Sequence, residues 1–336
     1  MDQKRIIDEF KELVSIEVHS RDERAIADVL KEKLTALGLT VTEDKAGEVL
    51  GGNTGNLYAQ LPGSTDGEPI LFSAHMDRVG NHGHIVPLVK EAEGKIVSDG
   101  TSILAGDDIG GVAAILAMLR EVKEKQIPHG PIEVAFSVCE ETGVEGSRQY
   151  DFSKFRSKSA FVYDASGKAG TIVLAAPSKG RVTIRVHGVT AHAGNEPEKG
   201  LNALKVAADL IMQLPDGRLS PVSTANFSII EAGSATNVVC DLVTITGEQR
   251  SRDAKEYQQI SADIQAAADR ISEKYHTKIE VELHTLYHAF KLEETARPCV
   301  LAKEAAEAVG AAPFFKEGVS PEFHPITHRR DLRGYT

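Results

Sequence analysis

The stretch IEVAFSVCEETG, at residues 132–143, predicts the fold of the chain more strongly than any other segment. Its first seven residues form an apolar run that is typical of a β-strand buried on both faces, and Glu140 and Glu141 follow shortly after. Similar runs occur at 69–75 (PILFSAH) and 159–163 (SAFVY). Because segments with helical spacing alternate with these runs, we expect an α/β fold with a mostly parallel sheet that helices cover on both sides.

Three segments of the N-terminal half carry apolar residues at helical spacing, at 6–14, 26–34 and 110–124. Before the second segment, Ser20 is followed three residues later by Glu23, which is the pattern of a capping box. We therefore expect the second helix to begin at Ser20.

A change of pattern at APSKG, residues 176–180, separates a second domain from the first. The expected order after this point is strand, helix, strand, strand, helix, strand, which is the ferredoxin-like α+β arrangement. A helix at 293–309 then resembles the first domain again. The expected divisions are a first domain at 1–177, an inserted domain at 178–290 and a return to the first domain at 291–336.

Composition restricts the classes of protein to which the chain can belong. Of its 336 residues, 41% are hydrophobic and 26% are charged, and no apolar run reaches the roughly 18–20 residues needed to cross a membrane. The formal net charge of -11 argues against nucleic-acid binding, which normally needs a basic patch. Three widely spaced cysteines do not form a disulfide framework, and no signal peptide is recognisable, so the expected location is the cytoplasm.

Residues capable of metal binding or acid–base chemistry are concentrated at predicted strand ends and before one helix. They are His75, Asp77, Asp107, Asp108, Glu140, Glu141 and Asp164. Each has an ordinary interpretation as well, since polar strand ends are common and an aspartate before a helix stabilises its N-terminus. However, the carboxyl ends of parallel strands meet at one edge of a sheet, where α/β proteins bind ligands. We therefore expect His75 and the carboxylates that follow the three strands to converge on a site suited to Zn, Co or Mn, whereas Asp107 and Asp108 fit the helix-cap interpretation.

Four separated motifs occur in a distinctive order and spacing. They are SAHMDRV at 73–79, DGTSILAGDDIGG at 99–111, CEETGVEGS at 139–147 and VYDASG at 162–167. Together they resemble the dinuclear-metal aminoacylase and carboxypeptidase superfamily, and most closely the peptidase T-like proteins. The resemblance extends to about Lys316 and includes the inserted domain, which in this superfamily serves as a lid or dimerisation domain.

The resemblance implies two divalent metal ions, with zinc preferred over cobalt or manganese. The implied metal ligands are His75, Asp107, Glu141 and Asp164. Asp107 would bridge the two ions, and Asp77 would orient His75. Glu140 would be the general base that takes a proton from the water between the ions.

The resemblance also assigns residues of the inserted domain to the substrate. His192, in VTAHAGNEPEKG at 189–200, matches a histidine that acts on the tetrahedral intermediate, often across a dimer interface. Asn237 and Arg250 match positions that contact substrate, and a guanidinium group can bind a carboxylate with two hydrogen bonds. A turn asparagine and a salt bridge at a strand end are equally good structural interpretations of these two residues.

The C-terminal residues depart from the resemblance. The family continues through a Gly-rich loop, a helix and a strand to a late histidine of the second metal site, whereas this sequence has GVSPEFHPITHRRDLRGYT at 318–336. We expect this segment to be altered or truncated, and we assign no role to His324 and His328. One ion would then bind firmly and the second weakly.

These observations predict a metallopeptidase that hydrolyses short peptides in the manner of a tripeptide aminopeptidase. We expect a peptide substrate and a homodimer formed through the inserted domain, with neither nucleic acid nor a membrane as partner. An aminoacylase or carboxypeptidase-type amidohydrolase is the near alternative, because the sequence does not locate the specificity pocket. The alternative outside the enzymes is a catalytically impaired protein that binds metal or peptide.

Overall fold

A computed structural model describes residues 2–80 and 83–318 of the chain. These residues divide into two compact units. The first unit extends to Ile172 and resumes at Glu293–Phe315, and the second comprises Val173–Leu292 with a short return that begins at Lys316. The expected alteration at the C-terminus, with His324 and His328, lies outside the described residues.

The first unit begins with two helices and contains a five-stranded sheet. Its helices up to residue 172 are α1 (Gln3–Val14), α2 (Arg24–Ala36), α3 (Ala46–Leu50) and α4 (Gly106–Glu124). Its strands are β1 (Thr40–Glu43), β2 (Leu57–Leu61), β3 (Ile70–His75), β4 (Pro87–Lys90), β5 (Lys95–Ser98), β6 (Ile132–Ser137) and β7 (Ser159–Val162). The separate pair β4 and β5 forms an antiparallel hairpin.

The strand order of the main sheet is β1-β2-β6-β3-β7. Strand β3 lies parallel to β6 on one side and to β7 on the other. Strands β1 and β2 extend the sheet beyond β6 in antiparallel fashion. The three strands that precede the predicted site residues are therefore parallel to one another, within a mixed α/β fold.

Strand β6 is covered on both faces. Val134 and Phe136 pack with apolar residues of α1, α2 and α4, whereas Ala135 packs on the other face with Tyr150 and Phe155. All six residues of β6 are buried, as its apolar sequence predicts. The prediction of full burial is wrong for β7, which is half-buried because it is the last strand of this sheet within residues 2–80 and 83–318.

The second unit follows the expected ferredoxin-like order with additional short strands. Its helices are α5 (Ala203–Ile211) and α6 (Ala254–Tyr275). Strand β8 (Thr171–Ala176) begins in the last two residues of the first unit's N-terminal part. The strands that lie wholly in the second unit are β9 (Ser178–His187), β10 (Gly217–Ser220), β11 (Ser223–Ala232), β12 (Leu242–Ser251), β13 (Ile279–Tyr287) and β14 (Phe290–Lys291). Helix α7 (Arg297–Ala308) belongs to the first unit, and β15 (Phe314–Glu317) follows it.

The sheet of the second unit is antiparallel, with strand order β10-β11-β12-β9-β13. Alternate residues of β9, including Val182 and Ile184, are buried against α5 and α6. The two helices therefore cover one face of the sheet, which confirms the predicted ferredoxin-like class. Among the helices that the structure describes, none has the length and apolar character required to cross a membrane.

Candidate metal centre

The predicted site residues follow the carboxyl ends of the three parallel strands. His75 is the last residue of β3 and lies opposite Ser137, the last residue of β6. Glu140 and Glu141 come just after β6, and Asp164 comes just after β7. Because these strands run in the same direction, their ends place the side chains at the same edge of the sheet.

His75 is almost fully buried, with 1% of its surface exposed, and its two ring nitrogens face different groups. Nε2 lies 2.8 Å from Oδ1 of Asp107 and 3.8 Å from Oδ1 of Asp164. Nδ1 lies 2.9 Å from the carbonyl oxygen of Asp77 and 3.3 Å from its Oδ1. Asp77 therefore contacts one nitrogen of the ring and leaves the other directed toward the carboxylates.

The adjacent residues Asp107 and Asp108 have different environments at the start of α4. Asp108 is buried, and its carboxylate accepts the backbone N–H groups of His75 and Gly111. Its bond to Gly111 therefore satisfies a backbone N–H at the start of the helix, as the ordinary interpretation of an aspartate at this position predicts. The side chain of Asp107 is 62% exposed and contacts His75 instead. The peptide bond between the two residues is cis.

The turn that carries Glu140 and Glu141 is held by the carboxylate of Asp77. The backbone N–H of Glu140 donates to Oδ1 at 2.9 Å, and that of Glu141 donates to Oδ2 at 3.1 Å. The hydroxyl of Ser20 also donates to Oδ2, at 2.6 Å. Burial opposes the charged form of Asp77, but His75 and these hydrogen bonds outweigh it and lower the pKa of Asp77.

The capping box predicted at Ser20 and Glu23 is wrong. Helix α2 begins at Arg24, and Glu23, at the N-cap, makes no side-chain capping bond. Ser20 hydrogen-bonds Asp77, while Oε1 of Glu23 accepts the backbone N–H groups of Arg21 and Cys139. The prediction from the local pattern is wrong because both side chains make hydrogen bonds with residues far along the chain, Asp77 and Cys139.

Burial and mutual repulsion disfavour ionisation of several of these carboxyl groups. Burial, together with neighbouring carboxylates such as Asp77, raises the pKa of Glu140 to about 7, although His75 opposes the shift. Burial and the charges of Asp108 and Asp107 likewise raise the pKa of Asp164 well above its usual range. A cation among these groups would favour their charged forms, so the electrostatics of the site suit a bound metal ion.

Two overlapping groups of side chains in the described part of the chain offer ligand atoms that lie within 4.8 Å of one another. One group is His75, Asp107 and Glu141, and the other is His75, Glu140 and Asp164. One imidazole with several carboxylates is a donor set that suits zinc, cobalt or manganese. The residues present therefore fit a divalent ion, while the separate roles assigned to them remain predictions.

His192 and Asn237 lie together in the second unit, on two loops joined by backbone hydrogen bonds. The N–H of Ala193 donates to the carbonyl of Asn237 at 3.0 Å. Nδ1 of His192 accepts the N–H groups of Gly194 at 3.1 Å and Asn195 at 3.2 Å. With Nδ1 acting as an acceptor, the proton of the neutral ring is on Nε2.

Arg250 lies in β12 and takes part in an ion pair within the second unit. Its Nε donates to Oε1 of Glu248 at 2.6 Å, and Nζ of Lys179 lies 3.4 Å from the other oxygen of that carboxylate. This contact agrees with the structural interpretation of Arg250 as a salt-bridge residue. A substrate carboxylate bound here would compete with Glu248.

Comparison with known proteins extends over nearly all of the described chain. The M20 peptidase dimerisation domain profile matches residues 177–276, and the peptidase family M28 profile matches residues 56–195. The YqjE protein of Bacillus subtilis strain 168 is 36% identical over 310 residues, which are 92% of this chain and 83% of that protein.

Two solved structures share both sequence and fold with the chain. Aminopeptidase PepT from Bacillus cereus ATCC 10987 is 38% identical with a TM-score of 0.84, and the match covers 95% of this chain and 85% of that chain. A tripeptidase from Staphylococcus aureus Mu50 is 32% identical with a TM-score of 0.87, at the same coverage. The chain belongs to the peptidase T-like group of the M20 peptidases.

This membership confirms the peptidase class predicted from the four motifs, together with the α/β fold. In this peptidase T-like chain, the two groups of side chains that could hold a metal ion are in the first unit, and the dimerisation profile matches the second. Glu23 contacts the 139–141 turn at Cys139, and Ser20 contacts Asp77, which holds the rest of that turn. The sequence pattern of Ser20 and Glu23 indicates a helix cap and gives no sign of these contacts.

Proposed function

We propose that the chain is a metallopeptidase of the tripeptide-aminopeptidase kind, which removes amino acids from short peptides. The observation that carries the proposal is the convergence of His75 with four carboxyl groups at one edge of the first unit's sheet. Similarity to aminopeptidase PepT, at 38% identity over 95% of this chain, supports the substrate class. The reaction is hydrolysis of the first peptide bond of a short peptide with a free amino terminus.

The proposed ligands of two divalent ions, zinc by preference, are His75, Asp107, Glu141 and Asp164. When bound, such ions polarise the scissile carbonyl and lower the pKa of the attacking water. Asp107 is the carboxylate best placed to serve both ions. It contacts His75 and Asp164, and it shares a ligand group with Glu141.

Glu140 is the proposed general base. Its backbone is anchored to Asp77, and its carboxyl group lies in the same cluster as His75 and Asp164. In this position its carboxylate accepts a proton from the attacking water and returns it to the leaving amine nitrogen. Glu141 cannot do this while it binds a metal ion, so the two adjacent glutamates have separate roles.

His192, Asn237 and Arg250 are the proposed substrate-side residues of the second unit. The hydrogen bonds to Nδ1 of His192 leave an N–H at Nε2, which is the form that can donate to a developing oxyanion. Asn237 is positioned beside it by the backbone contact with Ala193. For Arg250, substrate binding requires that a peptide carboxylate replace Glu248 as its partner.

The proposed assembly is a homodimer formed through the second unit. Within the described residues, β10 pairs only with residues 223–225 of β11, so the rest of β11 has one unpaired edge. Ile229 and Ile230 on this strand are 55% and 51% exposed. An unpaired edge with apolar side chains can pair with the same strand of a second copy. The match of the dimerisation profile to residues 177–276 supports this arrangement.

The proposal is tested by assaying the full chain after removal of metal with a chelator and reloading with zinc, cobalt or manganese. We expect hydrolysis of tripeptides with free amino termini, and loss of activity in the stripped protein. The matched substrates are the same tripeptides with an acetylated amino terminus and simple N-acetyl amino acids. If the acetylated compounds are the better substrates, the chain is an acylase or carboxypeptidase-type enzyme and the aminopeptidase proposal is wrong.

A further inference from the structure

Three consecutive backbone N–H groups of the 139–141 turn each donate to a buried carboxyl oxygen of another segment. The pairs are Cys139 with Oε1 of Glu23 at 3.0 Å, Glu140 with Oδ1 of Asp77 at 2.9 Å and Glu141 with Oδ2 of Asp77 at 3.1 Å. The turn that bears the proposed base and a proposed ligand is therefore held from outside by two carboxyl groups.

The loop between α1 and α2 contributes to the hydrogen bonds made by both carboxyl groups, Glu23 and Asp77. Glu23 binds the first N–H of the turn directly, and the hydroxyl of Ser20 donates to Oδ2 of Asp77 at 2.6 Å. Ser20 thus supports the carboxylate that holds the other two N–H groups of the turn. One short loop, 20–23, supports all three backbone anchors.

Glu23 is fully buried, and no cationic side chain among the described residues forms an ion pair with it, which is unusual for a carboxyl group. Its Oε1 also accepts the N–H of Arg21 at 3.0 Å, and its Oε2 has no hydrogen-bond partner within residues 2–80 and 83–318. Cys139 has φ +51°, a left-handed conformation that is unfavourable for a residue with a Cβ. A turn that begins in this conformation needs partners outside itself, and Glu23 is the partner of its first N–H.

We propose that Glu23, supported by Ser20, is a positioning residue that fixes the 139–141 turn so that Glu140 and Glu141 are directed into the metal cluster. This inference rests on the proposed function. Glu23 acts through the backbone of the turn, at Cys139, and belongs to neither group of potential metal ligands. Its loss therefore affects the ion held by Glu141 and the step performed by Glu140, and it leaves the other ion in place.

Glu133 provides a matched control for a merely structural buried carboxyl group. It is 1% exposed, and it accepts the backbone N–H groups of Arg156 and Ser157 and the hydroxyl of Tyr58. It lies near the start of β6, whereas the 139–141 turn follows the end of that strand. Substitution of Glu133 is expected to loosen the 156–157 segment and to leave the 139–141 turn unchanged.

The experiment compares Glu23→Gln, Glu23→Met, Ser20→Ala and Glu133→Gln in the full chain. Glutamine keeps an oxygen for the N–H of Cys139, whereas methionine has a similar length but no comparable acceptor. The first readout is amide hydrogen exchange of the segment 138–146 in metal-free protein. The second is titration with Co²⁺ alone, followed by its visible absorption, which reports the affinity of each ion separately. The third is the separation of kcat from KM for a tripeptide.

We expect Glu23→Met to increase exchange in 138–146 and to weaken the second Co²⁺ ion by roughly 10- to 100-fold, with kcat lowered more than KM is raised. Glu23→Gln should restore most of each property, Ser20→Ala should show a smaller change in the same direction, and Glu133→Gln should change exchange only near 156–157. Unchanged exchange and Co²⁺ affinity in folded Glu23→Met overturn the proposal.

Three further outcomes are also decisive. If Glu23→Met does not fold, Ser20→Ala decides by the same exchange and Co²⁺ readouts, and no change there overturns the proposal. If the unsubstituted chain binds Co²⁺ but cleaves no peptide, the proposed function is wrong, whereas the exchange and affinity measurements still test the positioning role. Equal effects of Glu133→Gln and Glu23→Met on the second ion would overturn the proposal, because a buried carboxyl group away from the 139–141 turn would then have the same influence.

Discussion

Nε2 of His75 lies 2.8 Å from Oδ1 of Asp107, although the two residues are 32 positions apart in the chain. The contact brings a β-strand end and a helix start to the same point, because β3 ends at His75 and α4 begins at Gly106. His75 and Asp107 would each supply a ligand atom to a bound metal ion, and ligation would require the deprotonated form of both groups. The first prediction follows from this arrangement.

Asp107→Asn should cause the loss of both ions, whereas Asp164→Asn should weaken only the ion bound to His75. The reason is that the proposed roles place Asp107 between the ions and Asp164 on one side. Metal content per chain after dialysis, measured for zinc, cobalt and manganese, tests this difference. Two ions retained by Asp107→Asn would contradict the bridging role.

Glu140→Gln should keep both ions and lower kcat by a factor on the order of 10²–10⁴, because the amide preserves the shape of the base but cannot accept a proton. Glu141→Gln is the matched substitution one residue later, and it should weaken one ion instead. Metal content and kcat are measured for both variants in parallel. If Glu140→Gln loses metal in proportion to activity, Glu140 is a ligand and the two roles must be exchanged.

The sequence predicts those parts of the structure that depend on local pattern. The apolar run of β6 indicates a buried strand, and the strand and helix order after residue 177 indicates the ferredoxin-like sheet. The half-buried state of β7 was not predictable in this way, because it depends on β7 being the last strand of the sheet in the described part of the chain. An apolar run carries no information about which strand is the last.

The candidate site shows the same division between local and distant contacts. Strand-end position alone brings His75 near Asp164, since both lie at the carboxyl ends of neighbouring parallel strands, β3 and β7. Ser20 and Asp77 are 57 positions apart, and Glu23 and Cys139 are 116 positions apart. No short sequence pattern can therefore predict these two contacts. The capping-box prediction failed for this reason, because a helix cap is the only local interpretation that Ser20 and Glu23 offer.

Mixing His192→Ala chains with Glu140→Gln chains should restore activity if His192 acts on the site of a partner chain. One site of each mixed dimer then has both intact residues, so a statistical mixture regains about one quarter of the wild-type activity. Activity is measured after the two inactive variants are dissociated and reassembled together. A mixture that forms mixed dimers but stays inactive would exclude action across the interface.

The control for this experiment is a double substitution, Ile229→Lys with Ile230→Lys, on the exposed part of β11. Two lysines at an unpaired strand edge oppose pairing with a second copy. We expect sedimentation to show a smaller species, and restored activity to disappear when both partners carry this change. A dimer that survives the double substitution would place the interface elsewhere on the chain.

Glu43 at the end of β1 should make the stability of the first unit depend on pH in the acidic range. It accepts hydrogen bonds from Arg24, Lys31 and Thr54 and from the backbone N–H of Gly55. Burial alone would raise the pKa of Glu43, but these donors outweigh burial and lower it from 4.5 to about 2. The carboxylate is therefore favoured in the folded chain relative to the unfolded chain.

A carboxyl group with a lowered pKa stabilises the fold fully above its unfolded pKa, and this contribution is lost as the pH falls from about 4.5 to about 2. Glu43→Gln should therefore reduce the free energy of unfolding near neutral pH by roughly 1–3 kcal/mol, discounted for the partial exposure of the pair. The difference from the wild type should shrink below about pH 4.5, since a protonated carboxyl group and an amide are alike in charge. Urea unfolding of both proteins at several pH values between 7 and 3 measures this difference in the free energy of unfolding.

Glu48→Gln, at a largely exposed glutamate paired with Lys45, is the control and should change stability little. A difference between Glu43→Gln and the wild type that stays constant down to pH 3 would show that packing, and not the charge of Glu43, is the source of the effect.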